Sequence, residues 1–493
     1  MLLDALRSAP PGAIALVDGR RTISYGTLQS LIEREIEWLR QGGAERHAVL
    51  ADNGVPWALA DLALHVGAML SVPLPGSFTP AQMIHALDDA GVDAVLTDDD
   101  TRAQALLQGW RLDGTSPVSG LHRFSRQLDL ASRAVAPAGT RKITYTSGST
   151  SHPKGVCLSG PALEAIAESV ACATRELSIE RHLCILPLAT LLENVAGLYA
   201  PLLRGATCIV PPSAVTGMSY GGLDATRLLG TLSREQPNSL ILVPELLQVL
   251  VCAAERGWQA PASLQFVAVG GAKVSRELLA RADAVGIPVY EGYGLSECAS
   301  VVCLNAPAAR RAGTVGRPLP HVRVRVDASG QVHVAGNAML GYLGDAPRAP
   351  LDEVATGDLG VLDADGYLQL HGRIGNRFIT SFGRNVSPEW VECEISQRLA
   401  GGPVLVYGES RPYAVALVGA SAQEASDAVV EAAIDAANAA LPNYAQVRHW
   451  ARAPGPFTFA DGTLTANGRL RRQEIHSRLG ALLDDLYRAE VAS

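Results

Sequence analysis

Residues 143–156 read ITYTSGSTSHPKGV. Ile143–Thr146 alternate as a strand does. The ten residues that follow hold four hydroxyl side chains, two glycines, one proline and one lysine. Gly148 lets backbone amides converge, and the hydroxyls of Thr146, Ser147, Ser149 and Thr150 add partners for phosphate oxygens or for a Mg²⁺ shell. Lys154 supplies a positive point charge. The order is not that of a Walker A loop, because Lys154 precedes Gly155 instead of following a glycine. A polar loop between two strands has the same composition, so composition alone leaves both readings open.

The order of residues decides between them. Tyr145-Thr146-Ser147-Gly148-Ser149-Thr150-Ser151-His152-Pro153-Lys154-Gly155 resembles YTSGTTGxPKG, the signature loop of the acyl-adenylate-forming superfamily of acyl-CoA synthetases, peptide-synthetase adenylation domains and luciferases. Ser149 and Ser151 replace a Thr and a Gly of that pattern. Further segments match the same family in the same order. AVGGAKV (268–274) resembles the stretch lining the adenine and acyl pockets, where Gly270 and Gly271 admit close approach of a ligand. YEGYGLSE (290–297) resembles YGxTE: Tyr293 and Gly294 would lie against adenine, Ser296 would reach the α-phosphate region, and Glu297 would hold Mg²⁺ together with Thr150. Thr356-Gly357-Asp358 matches TGD, whose Asp accepts from the ribose hydroxyls, and Gly372-Arg373 matches the GR that joins two domains. Each is an ordinary turn when taken singly; their common order over the chain carries the resemblance.

What the resemblance implies is a reaction in which a carboxylate displaces pyrophosphate from ATP, giving an acyl-adenylate, and the acyl group then passes to a thiol such as coenzyme A or a carrier phosphopantetheine. No protein nucleophile is needed; positioning and charge neutralisation are. Lys154 and Glu297 are the implied catalytic groups of the large domain. SFGRNVSPEWVE (381–392) is similar to TSxGKNxxPxxIE of fatty acyl-CoA synthetases, with Arg384 as a cation for the phosphate side and Ser387 as the expected N-cap of a helix. LTANGRLRR (464–472) is similar to LTxxxKLKR, but Arg469 stands where the catalytic lysine belongs. Arginine keeps the charge on a longer, planar group. Only Lys142, Lys154 and Lys273 are lysines, so substitution across the whole chain and a reassigned reaction both remain open. Two further departures are Thr190, in LPLATLLENVAGLY where His is common while Glu193 is kept, and Gly375, where the hinge usually carries Asp or Lys.

The elements that must hold these groups alternate short apolar runs with amphipathic stretches. HAVLADN (47–53), LSVPL (70–74), AVLTD (94–98), CILPL (184–188), ATCIVP (206–211), SLILVP (239–244) and FVAVGG (266–271) read as strands, with helices near 56–68 and 80–90. That rhythm predicts an α/β protein with parallel or mixed sheets flanked by helices. After about residue 313 the texture changes: HVRVRVD and QVHVAG alternate around the turn 328–330. Beyond 374, helices near 388–400 and 423–440 flank PVLVYG and YAVALVG. The expected division is a large domain over 1–372 and a small, mobile α+β domain over 373–493.

A net charge of −8 excludes nucleic acid as the main partner. The eight cysteines form no CxxC pair, so neither zinc spacing nor a disulfide framework is expected. The N-terminus lacks a signal-peptide pattern and no apolar run reaches membrane-spanning length, so a cytoplasmic enzyme is expected. The fatty-acid-type segments imply an apolar acid of medium or long chain as substrate, with an aryl acid or a biosynthetic intermediate left open, and an acyl carrier protein as a possible partner. Adenylation of another group, such as nitrite in diazotisation, β-lactone closure, or a catalytically silent nucleotide-binding protein are the competing readings.

Overall fold

The computed structural model describes residues 2–128, 133–146, 153–219, 222–345, 351–382, 384–399, 403–419, 425–458, 461–464 and 469–488. Two large sheets dominate the N-terminal region. The first has nine strands, running in space from Arg317–Pro318 through Ser300–Leu304, Val289–Leu295, Phe266–Val269, Ser239–Leu242, Arg181–Leu183, Thr207–Ile209 and Ile14–Val17 to Thr22–Ser24. Its central strands pair in parallel and both edges are antiparallel. The second has eight strands, with Thr140–Thr146, Leu70–Pro73, Arg46–Leu50 and Ala94–Thr97 parallel at its centre. Most are the apolar runs read from the sequence, and burial on both faces explains why those do not alternate. CILPL (184–188) is not a strand, because the strand there is Arg181–Leu183 and the apolar run is the buried chain leaving it.

Helix Val55–Val66 lies in the core: every residue from Trp57 to Leu64 is buried. A helix apolar on all sides belongs in a core. Its one charged residue, Asp61, meets Lys142 Nζ at 2.7 Å, Asn194 Nδ2 at 2.7 Å and the Tyr199 hydroxyl at 2.6 Å. Lys142 is therefore the buried partner of a core carboxylate. Helix Pro80–Asp89 starts at a capping box formed by Thr79 and Gln82, and Gly160–Ala173 starts at Ser159, whose hydroxyl accepts from Ala162 N.

A four-stranded antiparallel sheet follows, Arg323–Val326, Gln331–Ala335, Glu353–Leu362 and Leu368–Arg373, the first two joined by the turn expected at 328–330. The C-terminal sheet pairs Val404–Tyr407 with Ala414–Val418 and the latter with Val447–Arg452. Val404–Tyr407 and Ala414–Val418 are apolar throughout because both faces are covered, whereas Val447–Arg452 carries Arg448, His449 and Arg452. Val404, Val406, Ala414, Ala416 and Val418 pack toward helices Pro388–Ser396 and Asp427–Ala440. Leu405, Val415 and Leu417 pack toward helix Arg472–Arg488. Ser387 does stand at the N-cap of Pro388–Ser396, but its hydroxyl donates to Glu389 at 3.0 Å and makes no cap bond. Among the described residues no helix is long and apolar enough to cross a membrane.

Candidate active site

A cleft of about 3040 Å³ opens where the nine-, eight- and four-stranded sheets and the C-terminal segment meet. Gly270, Gly271, Tyr293, Gly294, Ser296, Asp358, Arg373 and Arg469 all line it. The parallel strands explain the location: Phe266–Val269 ends directly before Gly270-Gly271, and its neighbour Val289–Leu295 carries Tyr293. Crevices at the carboxyl ends of parallel strands are where ligands bind in open α/β sheets. Gly294 is required by space, since a Cβ there would lie 1.8 Å from the Ser300 carbonyl oxygen.

Asp358 and Arg373 are brought together by register. They are direct partners in the antiparallel pair of Glu353–Leu362 with Leu368–Arg373, and Arg373 Nε donates to Asp358 Oδ1 at 2.7 Å. The Tyr293 hydroxyl donates to Asp358 Oδ2 at 2.6 Å, and Thr356 Oγ1 accepts from the Asp358 amide at 3.0 Å. Burial and the Asp358 charge both raise the Tyr293 phenol well above its ordinary value. Burial lowers the Arg373 guanidinium, but the Asp358 carboxylate outweighs it and the net shift is upward.

Arg469 reaches across from the C-terminal region and donates to the Gly271 carbonyl oxygen. Desolvation lowers its pKa and Arg373 adds to that, while Asp358, Glu245 and Glu389 oppose it. The basic run that contains it divides its labour. Arg472 turns back to bind Glu392 through Nη1 at 2.7 Å to Oε1, and with Arg471 N donating to Thr463 O at 2.8 Å it fixes the segment's end.

Lys154 and Glu297 meet at a residue the sequence reading passed over. The Tyr342 hydroxyl donates to Glu297 Oε1 at 3.0 Å, and Lys154 Nζ lies 5.4 Å from the centre of the Tyr342 ring. Tyr342 pairs with Val156 at the edge of the eight-stranded sheet, two residues from Lys154. No sequence signal marked it, because a two-residue edge strand has no period. Ser147, Gly148, Ser149 and Thr150 lie outside the described residues, as does the Thr146 side chain.

Arg384 is not brought to the cleft. It sits exposed on the hairpin Phe378–Ile379/Asn385–Val386, bonded through its own amide to Thr380 Oγ1 at 3.1 Å. Thr190 does line the cleft, but Glu193 is fully buried in the π-helical segment Glu193–Tyr199 and is not part of the cleft wall.

Comparison with known proteins accords with this geometry. The AMP-binding enzyme family profile matches residues 4–343. The propanoyl:CoA ligase of Mycobacterium tuberculosis that acts on a methyl-dioxo-octahydroindenyl propanoate is 30% identical over 86% of this chain and 90% of its own. An indoleacetate–CoA ligase of Aromatoleum aromaticum is 28% identical over 79% of this chain and 81% of its own. The crystal structure of the anthranilate CoA ligase AuaEII with anthranoyl-AMP superposes with a TM-score of 0.79 at 20% identity, covering 98% of both chains. The chain thus belongs to the AMP-binding enzymes, the adenylate-forming acid–CoA ligase family.

Proposed function

We propose that the enzyme joins a carboxylic acid of apolar character to AMP, releasing pyrophosphate, and then passes the acyl group to a thiol such as coenzyme A or a carrier phosphopantetheine. The observation that carries this reading is the convergence of Tyr293, Asp358, Arg373 and Arg469 on one cleft. The residues fit a nucleotide. Asp358 gives one lone pair on each oxygen to Tyr293 and Arg373, and a carboxylate oxygen has a second for a ribose hydroxyl. The Tyr293 ring offers a π-face to a purine. Glu297 is a hard carboxylate held by Tyr342, suited to Mg²⁺. When bound, MgATP supplies the electrophilic α-phosphorus and the pyrophosphate leaving group. Arg469 neutralises charge between the acid and the α-phosphate from its post at Gly271, and Lys154 does so at the outer phosphates.

Leu186, Ile241, Val243, Ala268 and Val301 line the same cleft and suit an apolar acid, fatty or ring-bearing. We also place the domain division at 372/373. Arg373 ends the four-stranded sheet, the single turn Ile374–Asn376 follows, and a separate apolar cluster begins at Phe378. Gly375 has open space around it, which suits a pivot, and rotation there would carry Arg384 inward as Arg469 leaves. The experiment is pyrophosphate release with Mg²⁺ and ATP across fatty, aryl and polycyclic acids, with and without coenzyme A. Acid-dependent release followed by thiol-dependent turnover is expected; release with no acid of the panel would overturn it. Arg469 in place of lysine favours one second reading, adenylation of nitrite beside an aryl amine, and the same assay with that pair tests it.

A further inference from the structure

His182, Cys184 and Glu193 stand apart from the adenylation cleft's machinery and form a cluster of a different kind. All three are buried, at 3%, 0% and 0% exposure, and one ligand atom from each lies within 4.8 Å of the other two. His182 is on strand Arg181–Leu183, Cys184 leaves that strand, and Glu193 opens the π-helical segment Glu193–Tyr199 that packs beside it. Neither oxygen of Glu193 nor His182 Nε2 makes a well-formed hydrogen bond among the described residues; His182, Cys184 and the Leu186 amide approach the carboxyl without closing one. A fully buried carboxylate in that condition is expensive.

The His182–Glu193 spacing is that of two ligands around a common ion. His182 Nε2 and Glu193 Oε1 are 3.5 Å apart, long for a hydrogen bond. Two ligands at about 2.0–2.2 Å from a tetrahedral zinc stand roughly 3.3–3.6 Å from each other. His182 Nδ1 meets Ser239 Oγ at 2.8 Å; a proton donated there fixes the tautomer that turns the Nε2 lone pair toward Glu193. The Cys184 thiol donates to the Gly197 carbonyl oxygen at 3.4 Å, a proton that a cation would displace. Gly197 keeps the space clear, because a Cβ there would lie 2.6 Å from Glu193 Oε1 and 3.0 Å from His182 Nε2. A bound cation would displace the Cys184 and Glu193 protons; thiolate, carboxylate and neutral imidazole would then sum to two negative charges, which a divalent cation cancels inside the core.

We propose that His182, Cys184 and Glu193 form a binding site for a borderline-soft divalent cation of the zinc class. It takes three ligands from the protein, and its fourth position faces the cleft that His182 and Ser239 line. The missing CxxC spacing hid it, since the ligands come from a strand exit and from a helix nine residues later.

The full-length protein is stripped with chelator, then dialysed against Zn²⁺ or Co²⁺ and assayed for bound metal, cobalt absorption and thermal midpoint. One equivalent of tightly bound metal is expected, with a thiolate-to-cobalt charge-transfer band and a rise in midpoint with Zn²⁺. Cys184→Ser removes the band and Glu193→Gln removes the rise, while Cys252→Ser, at a half-buried cysteine elsewhere, changes neither. Ser239→Ala weakens affinity about 10–100-fold by releasing the imidazole. Absence of stoichiometric uptake by the unsubstituted protein overturns the proposal, whatever the variants do. Uptake indifferent to both Cys184→Ser and Glu193→Gln also overturns it, leaving a proton shared between Glu193 and His182.

Discussion

At Asp358 a single carboxylate is bonded from two sides, by a neighbour in its own sheet and by a tyrosine from another. Hydrogen bonds to a charged group contribute about 1.5–3 kcal/mol each. Asp358→Asn weakens these bonds together with the ribose contact, and is expected to lower kcat/KM for ATP in pyrophosphate exchange by about 10–100-fold alongside a fall in thermal midpoint. An unchanged kcat/KM would remove Asp358 from the nucleotide site. Arg469→Lys should keep or raise the adenylation rate and Arg469→Ala cut it by about a hundredfold, if charge at that point is what the step requires. Glu291, also in the cleft wall, is pushed up to about 7 chiefly by burial. The folded protein then holds a proton that the unfolded chain has already lost above the ordinary carboxylate range. Stability contributed by that protonated form falls as pH rises from the ordinary value of 4.5 toward 7. Glu291→Gln should flatten that decline, measured by denaturant unfolding at about pH 5 and about pH 8; an unaltered slope would contradict the assignment.

Among the elements, the parallel strands were legible because double burial leaves continuous apolar runs with turn residues behind them. Residues 266–271 were read as strand plus glycine pair, and the strand ends at Val269 with Gly270-Gly271 in the cleft. The register pairing of Asp358 with Arg373 was not legible as contact, only as two motifs fifteen residues apart. Nor was the fate of the three lysines: Lys142 looks like a candidate from its rarity, yet it lies in the core against Asp61 on helix Val55–Val66. Losing one partner of a buried pair costs about 3–5 kcal/mol, so Lys142→Met should reduce unfolding free energy by that much without altering KM for ATP. Tyr342 escaped notice because an edge strand of two residues shows no pattern. Removal of its hydroxyl in Tyr342→Phe should weaken the Mg²⁺ dependence about fivefold, a loss of roughly 1 kcal/mol at Glu297.

For the molecule as a whole, the cleft exists because three sheets and the C-terminal region present their loops to one space, and Arg469 closes it from the far side. Arg384 shows the limit of motif reading: its segment resembles the family pattern, but the fold sets it exposed on a hairpin away from the cleft, and a local pattern does not encode that placement. Gly375→Pro, which stiffens the pivot we assign, should leave pyrophosphate release near its original rate and slow thioester formation tenfold or more. Equal loss in both steps would argue against the pivot. The most direct test is a crystal structure with a non-hydrolysable acyl-adenylate analogue and Mg²⁺. The ribose is expected within hydrogen-bonding distance of Asp358, the base against Tyr293 and the acyl carboxyl oxygen near Arg469. Ligand bound away from these three residues would contradict the assignment of this cleft as the site of adenylation.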